Sequence, residues 1–433
     1  MKNTYNIITI GCQMNKADSE RVAGFLDRHG YVAVGEAMLS DVVVVTTCGI
    51  RQSAEDRIYG IIPRIKKKNP ECKLVLTGCL SQREDVRRRL AEYVDYWMPI
   101  SELPNMADIL AIGVMQAKPV GPCEYLAIDP KHQSNFNAFV PIGNGCNNFC
   151  AYCVVPYARG REVYRPAEEV VAEVENLVAK GYKEITLIAQ NVNSYRSPGE
   201  DQEVDFPSLL RRVNDVAGQF WIRFSTSHPK DMSEELIKAV AECHKACEYI
   251  HLPAQSGDDG ILAAMNRKYS SYYYKGLIRM IRSYLPDVGI TTDIIVGFPS
   301  ETKDQFEHTA QLFKEVKYDM AYISQYSPRP GTAAARLKDD VPKAEKKKRE
   351  EFLMGILRET ALENNKKHIG KNVEVLIDGY KKGSLVGKTR TSKTVMVGVS
   401  QGIDTSDFVG KFIEAKVVKA RDFGLEAIYI RKL

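Results

Sequence analysis

Cys146, Cys150 and Cys153 stand in a Cys-x3-Cys-x2-Cys run, preceded by Ile142-Gly-Asn-Gly and followed by Val-Val-Pro-Tyr. Three thiolates within eight residues can hold three irons of a cubic iron–sulfur cluster and leave the fourth iron without a protein ligand, open to a reactant. The competing reading is three buried thiols beside a turn. Three further cysteines each follow a short apolar run: Ile10-Gly-Cys12, Thr46-Thr-Cys48 and Thr77-Gly-Cys79. If those runs are neighbouring parallel strands, the thiols meet at one edge of a sheet, where open α/β sheets place their ligands. They read as a second three-cysteine cluster site. The alternative is coincidental strand-end thiols, since spacings of 36 and 31 residues carry no local signature.

The elements that must position these residues fall into three segments. Residues 1–120 make the first. Tyr5 to Ile10, Val42 to Thr46, Lys73 to Thr77 and Tyr93 to Met98 read as strands. Ser19 to His29, Ala54 to Lys68 and Gln82 to Glu92 read as helices between them, so a parallel sheet with covering helices is expected. Around Pro104, Pro119, Pro122 and Pro130 no periodicity is visible, which suits a connector. Residues 132–365 make the second segment. Six strands are expected at Phe139 to Ile142, Glu184 to Ala189, Phe220 to Ser225, Tyr249 to Leu252, Ile290 to Val296 and Met320 to Tyr326. Helices are expected at Pro166 to Lys180, Phe206 to Val216, Ser233 to Cys247, Ser271 to Ser283 and Lys303 to Val316. Six β-α units make a partial barrel whose chemistry belongs at the C-terminal ends of its strands, where the Cys146 loop lies.

A charged helix from Ala344 to Lys366 leads to the third segment, residues 367–433, and its run Lys346-Lys-Lys-Arg349 reads as a solvated face. Five short strands with glycine turns follow, beginning at Val373, Leu385, Thr394, Phe412 and Leu425, and suit a small OB-like barrel. The chain's net charge is +5, yet from Lys367 onward 13 Lys and Arg face 7 Asp and Glu. The basic excess therefore lives in the tail, beside a near-neutral body, and points to a polyanion such as nucleic acid, or else to solubility alone. Hydrophobic residues at 44% and charged residues at 27% are those of a soluble globular protein. No apolar run is long enough for a membrane span. The N-terminus lacks a signal-peptide core and cleavage site, so a cytoplasmic location with reduced cysteines is expected.

Both triads, their order and the basic β tail resemble the methylthiotransferases, a branch of the radical S-adenosylmethionine (SAM) enzymes, over nearly the whole chain. The motifs that carry the resemblance are Gly11-Cys-Gln-Met-Asn15, Thr47-Cys-Gly-Ile-Arg51, Gly78-Cys79, Gly145-Cys-Asn-Asn-Phe-Cys-Ala-Tyr-Cys-Val-Val-Pro-Tyr157, Arg159-Gly-Arg-Glu162, Gln190-Asn-Val-Asn-Ser-Tyr195 and Tyr326-Ser-Pro-Arg-Pro-Gly-Thr332. Gly-Cys-Gln-Met-Asn looks like the subgroup acting on tRNA isopentenyladenosine, while ribosomal-protein aspartate and threonylcarbamoyladenosine methylthiotransferases usually differ after that cysteine. The tail resembles the TRAM module. The implied fold class is α/β: an N-terminal parallel-sheet domain, a central partial (β/α)6 radical SAM barrel, and a small OB-like C-terminal barrel.

The resemblance implies two 4Fe-4S clusters and SAM as cofactors. Cys146, Cys150 and Cys153 would hold the cluster whose open iron binds SAM and yields a 5′-deoxyadenosyl radical. Cys12, Cys48 and Cys79 would hold an auxiliary cluster that carries sulfur. One SAM methylates that sulfur; the radical from a second removes hydrogen from C2 of N6-isopentenyladenosine 37 in tRNA. Expected SAM contacts are Tyr152, with a packed aromatic as the alternative, Gln190, Asn191, and Ser225, Gln255 and Asp293, taken as strand ends, with support of neighbouring contact residues as the alternative for these three; Gln190-Asn191 departs from the Gly-Gly-Glu common in radical SAM enzymes, a departure that counts against that contact. Expected RNA contacts are Arg159, Arg161, Arg329, Lys388, Arg390 and Lys393, with pairing to neighbouring carboxylates as the alternative for the first three. An electron donor such as flavodoxin or ferredoxin and a monomeric state complete the expectation. A zinc site drawn from Cys243, Cys247, His244 and His251 is set against core packing beside Leu236, Ile237 and Val240. A non-catalytic RNA-binding metalloprotein is the rival from another class.

Overall fold

The computed structural model describes residues 3–49, 52–112, 121, 123–199, 203–400, 405 and 407–433; Ile50, Arg51, Pro119 and Pro122 of the quoted motifs and connector lie outside them. The first segment is a five-stranded parallel sheet of β1 (Thr4–Ile10), β2 (Val32–Ala33), β3 (Val42–Thr47), β4 (Lys73–Gly78) and β5 (Tyr96–Trp97), in the order β2-β1-β3-β4-β5. All six residues of β3, Val-Val-Val-Val-Thr-Thr, are buried, as befits a parallel strand covered on both faces. Val22, Phe25 and Leu26 close one face; Ile58, Ile62 and Ile65 close the other. Register sets the cysteine turns: Ile10 pairs with Thr47 and Thr47 with Gly78, so the three turns leave adjacent strands side by side.

The first helix runs Gln13–Arg28, six residues ahead of the expected start. Its opening turns hold Asn15 and Asp18, both fully buried, so the apolar period that marks a surface helix is interrupted where polar groups face inward. Asn15 Oδ1 accepts the Cys12 N–H (3.2 Å) and Asn15 Nδ2 donates to the Thr47 carbonyl (3.0 Å), tying the first cysteine turn to the second.

The central segment carries β6 (Asn137–Pro141), β7 (Glu184–Ile188), β8 (Trp221–Ser225), β9 (Tyr249–His251), β10 (Gly289–Val296) and β11 (Met320–Gln325). They form two parallel triplets, β8-β7-β6 and β9-β10-β11, joined by a parallel bridge from Ile222 to Ala246. Ile222, Phe224, Ile290 and Ile294 pack outward into the main core with Val174, Leu210, Ile237 and Leu277 of the surrounding helices. Strand alternation therefore turns Arg223, Ser225, Thr291 and Asp293 toward the barrel interior. The expected helix Ser233 to Cys247 ends at Glu242, so Cys243 joins the outer core and Cys247 a small cluster with Trp221.

The tail is a closed barrel of β12 (Asn372–Lys381), β13 (Ser384–Thr389), β14 (Thr394–Gly398), β15 (Phe412–Arg421) and β16 (Gly424–Lys432), in the order β12-β13-β14-β16-β15. It seals the central barrel at the N-terminal ends of the strands. Trp221 and Cys247 pack on Leu376 and Phe412, and Arg223 donates to the Thr389 and Arg390 carbonyls at 2.9 and 3.0 Å. The first segment covers the opposite end, with Met14 and Ala17 on Ile188. The run Lys346-Lys-Lys-Arg349 is only half solvated. Lys346 and Arg349 are buried, held by the Tyr326 carbonyl and by Glu301, because the helix Lys343–Lys366 lies along the barrel rather than in solvent. Among the described residues no helix is long and apolar enough to cross a membrane.

Candidate cluster-binding site

Sheet register brings Cys12, Cys48 and Cys79 to one edge of the sheet, at the ends of adjacent strands. The Cys48 side chain hydrogen-bonds Cys12 and holds that thiol well below the ordinary range; burial opposes this and the Arg159 charge assists it. The Cys79 N–H donates to the Thr47 carbonyl at 2.9 Å. The turns touch: a Cβ added at Gly11 would stand 2.7 Å from Cys48 Cβ, and one at Gly49 would stand 3.2 Å from Cys79 Cβ.

The other triad is wound tightly after β6. Cys146 N–H donates to the Gly160 carbonyl (3.1 Å) and Cys153 N–H to the Cys150 carbonyl (2.9 Å). Gly145 sits at φ +79°, where a Cβ would lie 2.1 Å from the Arg161 carbonyl oxygen. Phe149 is left-handed too, at φ +47°, a conformation that a bulky residue adopts only under constraint. The constraint is Asn266, whose Nδ2 donates to the Phe149 and Asn148 carbonyls at 2.9 and 3.3 Å. Burial pushes the Cys153 thiol up to about 12, with Cys150 adding to it, and raises Cys146 as well.

All six cysteines are free thiols. Asn148 Nδ2 lies 3.4 Å from Cys146 Sγ and Arg267 Nη1 lies 3.3 Å from Cys150 Sγ, donors of the kind that surround cluster sulfurs. Among the described residues no three His, Cys, Asp or Glu converge on a single ion. Three thiols with sulfur-directed donors and no fourth cysteine in the set fit a cubane with one open iron at the Cys146 triad; at Cys12, Cys48 and Cys79 the fit rests on three thiols at adjacent strand ends and the lowered Cys12 thiol. The remaining cysteines are committed elsewhere: Cys72 and Cys243 to apolar cores, Cys247 beneath the tail, and Cys123 Sγ to the Val163 carbonyl at 3.3 Å.

The two cysteine loops meet at a buried contact. The Cβ position at Gly49, next to Cys48, is 3.0 Å from Cγ2 of Val154, next to Cys153. Arg159 spans the same contact. Its Nη2 donates to Asp18 Oδ2 at 2.6 Å and Nη1 to Asn144 Oδ1 at 3.1 Å.

The strand-end loops of the barrel present buried polar atoms that no described protein group satisfies: Asn191 Oδ1, both polar atoms of Asn193, Ser227 Oγ and Gln255 Oε1. Buried polar atoms are nearly always paired, so this set fits a polar ligand such as SAM. Gln255 is at φ +68°. Asn193 and Ser227 were not expected, since an isolated Asn or Ser after a strand has no pattern of its own. A cavity of about 190 Å³ opens beside the cysteine loop, lined by Asn147, Asn148, Glu162, His228, Lys230, Asn266 and Lys268.

The expected SAM contacts are placed unequally. Tyr152 packs against Met265, Phe298 and Tyr326. Gln190 is half-buried, and Asn191 Nδ2 donates to Asp231 at 2.7 Å. Ser225 ends β8, but its hydroxyl donates to Gln13 Oε1 at 2.9 Å. Gln255 follows β9 by four residues. Asp293 does not end its strand; it stands three residues before the end of β10, 3.3 Å from His251 Nε2.

Four of the six expected RNA contacts are turned away from solvent. Arg159 is 7% exposed and bound to Asp18; Arg329 is 8% exposed and donates to Gln52 Oε1 at 2.7 Å. Arg390 is engaged by Glu248 and by the His244 and Ala246 carbonyls, and Lys393 by Asp319 at 2.6 Å. These two lock the tail onto the barrel, because the turn carrying them is the docking element. Arg161 and Lys388 are exposed.

The model of the Radical SAM superfamily matches residues 140–313, and that of the Uncharacterized protein family UPF0004 matches residues 4–98. A protein of Clostridium botulinum (strain Langeland) named tRNA-2-methylthio-N(6)-dimethylallyladenosine synthase is 42% identical over 97% of this chain and 95% of its own length. A relative of the same name from Caldicellulosiruptor saccharolyticus is 42% identical over 96% and 90%. Among solved structures, the radical SAM methyltransferase TsrM from Kitasatospora setae has the same fold over 77% of this chain and 75% of its own, with a TM-score of 0.56 at 14% identity. Membership sets the cofactors, 4Fe-4S clusters and SAM. The chain belongs to the family of tRNA-2-methylthio-N(6)-dimethylallyladenosine synthases and is a radical SAM enzyme.

Proposed function

We propose that this enzyme methylthiolates C2 of N6-isopentenyladenosine 37 in tRNA, with two SAM consumed per product. The observation that carries the reading is 42% identity over 97% of the chain. On this reading the chain divides into three units, 1–120, 132–365 and 367–433, the last an RNA-binding barrel. Cys146, Cys150 and Cys153 hold the cluster that supplies the electron for SAM cleavage, and Cys12, Cys48 and Cys79 hold the cluster that presents sulfur. The chain's own residues do the rest. Asn191, Asn193, Ser227 and Gln255 offer unpaired polar atoms to SAM. Gly49 and Val154 exclude water where the two triads meet. Arg161 and Lys388 meet RNA phosphates, which position the substrate rather than select its sequence. A C2–H bond offers no acidic proton, which is why a radical is needed, and the base must leave its stack to reach the strand ends. A one-electron donor of the flavodoxin or ferredoxin type and a monomeric state complete the reading.

Anaerobic reconstitution should load about eight irons per chain, falling to about four in Cys146→Ala, and reduction with SAM should release 5′-deoxyadenosine. Nucleoside mass spectrometry of tRNA from a strain lacking the gene should show 2-methylthio-isopentenyladenosine replaced by isopentenyladenosine. An unchanged profile would assign the chemistry to another substrate.

A further inference from the structure

Arg267 is a buried cation. It is 8% exposed, and among the described residues its guanidinium meets no Asp or Glu. Nε donates to Tyr269 Oη at 2.9 Å, Nη2 to the Pro253 carbonyl at 3.1 Å and Nη1 to Cys150 Sγ at 3.3 Å. A desolvated cation with only neutral acceptors is costly. Its counter-anion is therefore supplied by whatever Cys150 binds.

The guanidinium is also held still. Tyr269 Oη donates onward to the Pro253 and Ala254 carbonyls at 3.1 and 2.9 Å. The residues before Arg267 grip the cysteine loop itself: the Met265 carbonyl accepts the Ala151 N–H at 2.9 Å and Asn266 Nδ2 donates to the Phe149 carbonyl at 2.9 Å. Three consecutive residues, Met265, Asn266 and Arg267, thus cradle residues 148–151, and the last places a full positive charge on one ligand sulfur.

We propose that Arg267 is a positioning residue that raises the reduction potential of the cluster held at Cys146, Cys150 and Cys153 by donating a charge-assisted hydrogen bond to Cys150 Sγ. The inference rests on the cluster reading above. On reduction, one electron from a flavodoxin- or ferredoxin-type donor adds one negative charge with no bond made or broken, and Arg267 stabilises that charge. Hydrogen bonds to cluster sulfurs are among the factors that set such potentials. A lysine keeps charge but lacks the planar fork that meets Tyr269, Pro253 and Cys150 together.

The test is an EPR-monitored redox titration, without SAM, of the full chain carrying Cys12→Ala, Cys48→Ala and Cys79→Ala so that one cluster is observed. Arg267→Gln and Arg267→Lys are compared with Arg267, each checked for iron content and thermal unfolding. The reduction equilibrium is expected to shift at least tenfold against the reduced form in Arg267→Gln, about 59 mV for one electron, and by less in Arg267→Lys. An unchanged potential in loaded Arg267→Gln overturns the proposal, as it would if Arg267 served only to bind SAM. Failure of both variants to load while folded overturns it too, making Arg267 an assembly residue. If the protein with Arg267 intact binds no cluster, the cluster reading fails instead.

Discussion

Arg159, six residues beyond the last cysteine of its triad, reaches across to Asp18 on the first helix at 2.6 Å, with side-chain exposures of 1% and 0%. Burial of the guanidinium opposes its charge, and Asp18, Cys79 and Cys12 favour it. The pair joins the two cysteine-bearing segments where neither can relax into water. Truncating one partner of such a pair strands a buried charge, so Asp18→Ala should lower stability by about 3–5 kcal/mol. The double variant Asp18→Leu, Arg159→Met should recover much of that. Urea unfolding checks both; equal losses in the single and double variants would show that shape, not charge, is what matters there.

The two triads should be separable by glycine substitutions. A Cβ at Gly145 would meet the Arg161 carbonyl oxygen at 2.1 Å, and one at Gly11 would meet Asn15 Oδ1 at 2.2 Å and Cys48 Cβ at 2.7 Å. Gly145→Ala is expected to lose the cluster nearest Cys146, and Gly11→Ala the other, each about half the iron. Iron and sulfide assays decide; full loading of either variant refutes its half of the claim.

RNA binding should divide the basic residues by exposure. Lys388→Ala and Arg161→Ala are expected to weaken tRNA binding and each to lower the salt slope by about 1. Arg390→Ala should instead loosen the tail, because its contacts are Glu248 and two carbonyls. Limited proteolysis near residue 367 reports the loosening, and fluorescence anisotropy across a salt series reports the binding.

His228 should make the metal-free protein acid-sensitive. Burial first, then the charges of Arg267 and Lys230, hold its imidazole down to about 2; Tyr269 faces the ring edge-on, and Glu162 stands across the cavity. The unfolded chain binds a proton near 6.5 and the folded one does not, so stability is full above pH 6.5 and falls as pH drops below it. Between pH 6.5 and 5.5 the loss is about 1 kcal/mol. His228→Gln should flatten that part of the curve, measured by urea unfolding at each pH; an unflattened curve would falsify the assignment.

The α/β plan, with a parallel sheet first and a small β-barrel last, and the placing of Cys12, Cys48 and Cys79 at adjacent strand ends were legible in the sequence, because strand runs and their ends are local properties. Strands β1, β3 and β4 are short apolar runs ending at a cysteine, and parallel pairing follows from the helices between them. The early start of the first helix was not legible, since Asn15 and Asp18 are polar yet buried. Nor were Asn193 and Ser227, lone polar residues whose side chains are buried without a described protein partner, or Arg267, whose partners Cys150 and Pro253 lie elsewhere in the chain.

Sequence alone thus determined the α/β class and which strand ends carry a cysteine. Tertiary structure decided what each basic residue is for. Arg159, Arg329, Arg390 and Lys393 look alike as charges in a string, but burial removes water and forces each onto a carboxylate, amide or carbonyl partner across a contact between segments. Long-range pairing of that kind leaves no periodic trace, since it depends on which surfaces fold against each other. Arg267 is the sharpest case: its place 117 residues from Cys150 becomes a 3.3 Å contact with the Cys150 sulfur only once the barrel closes.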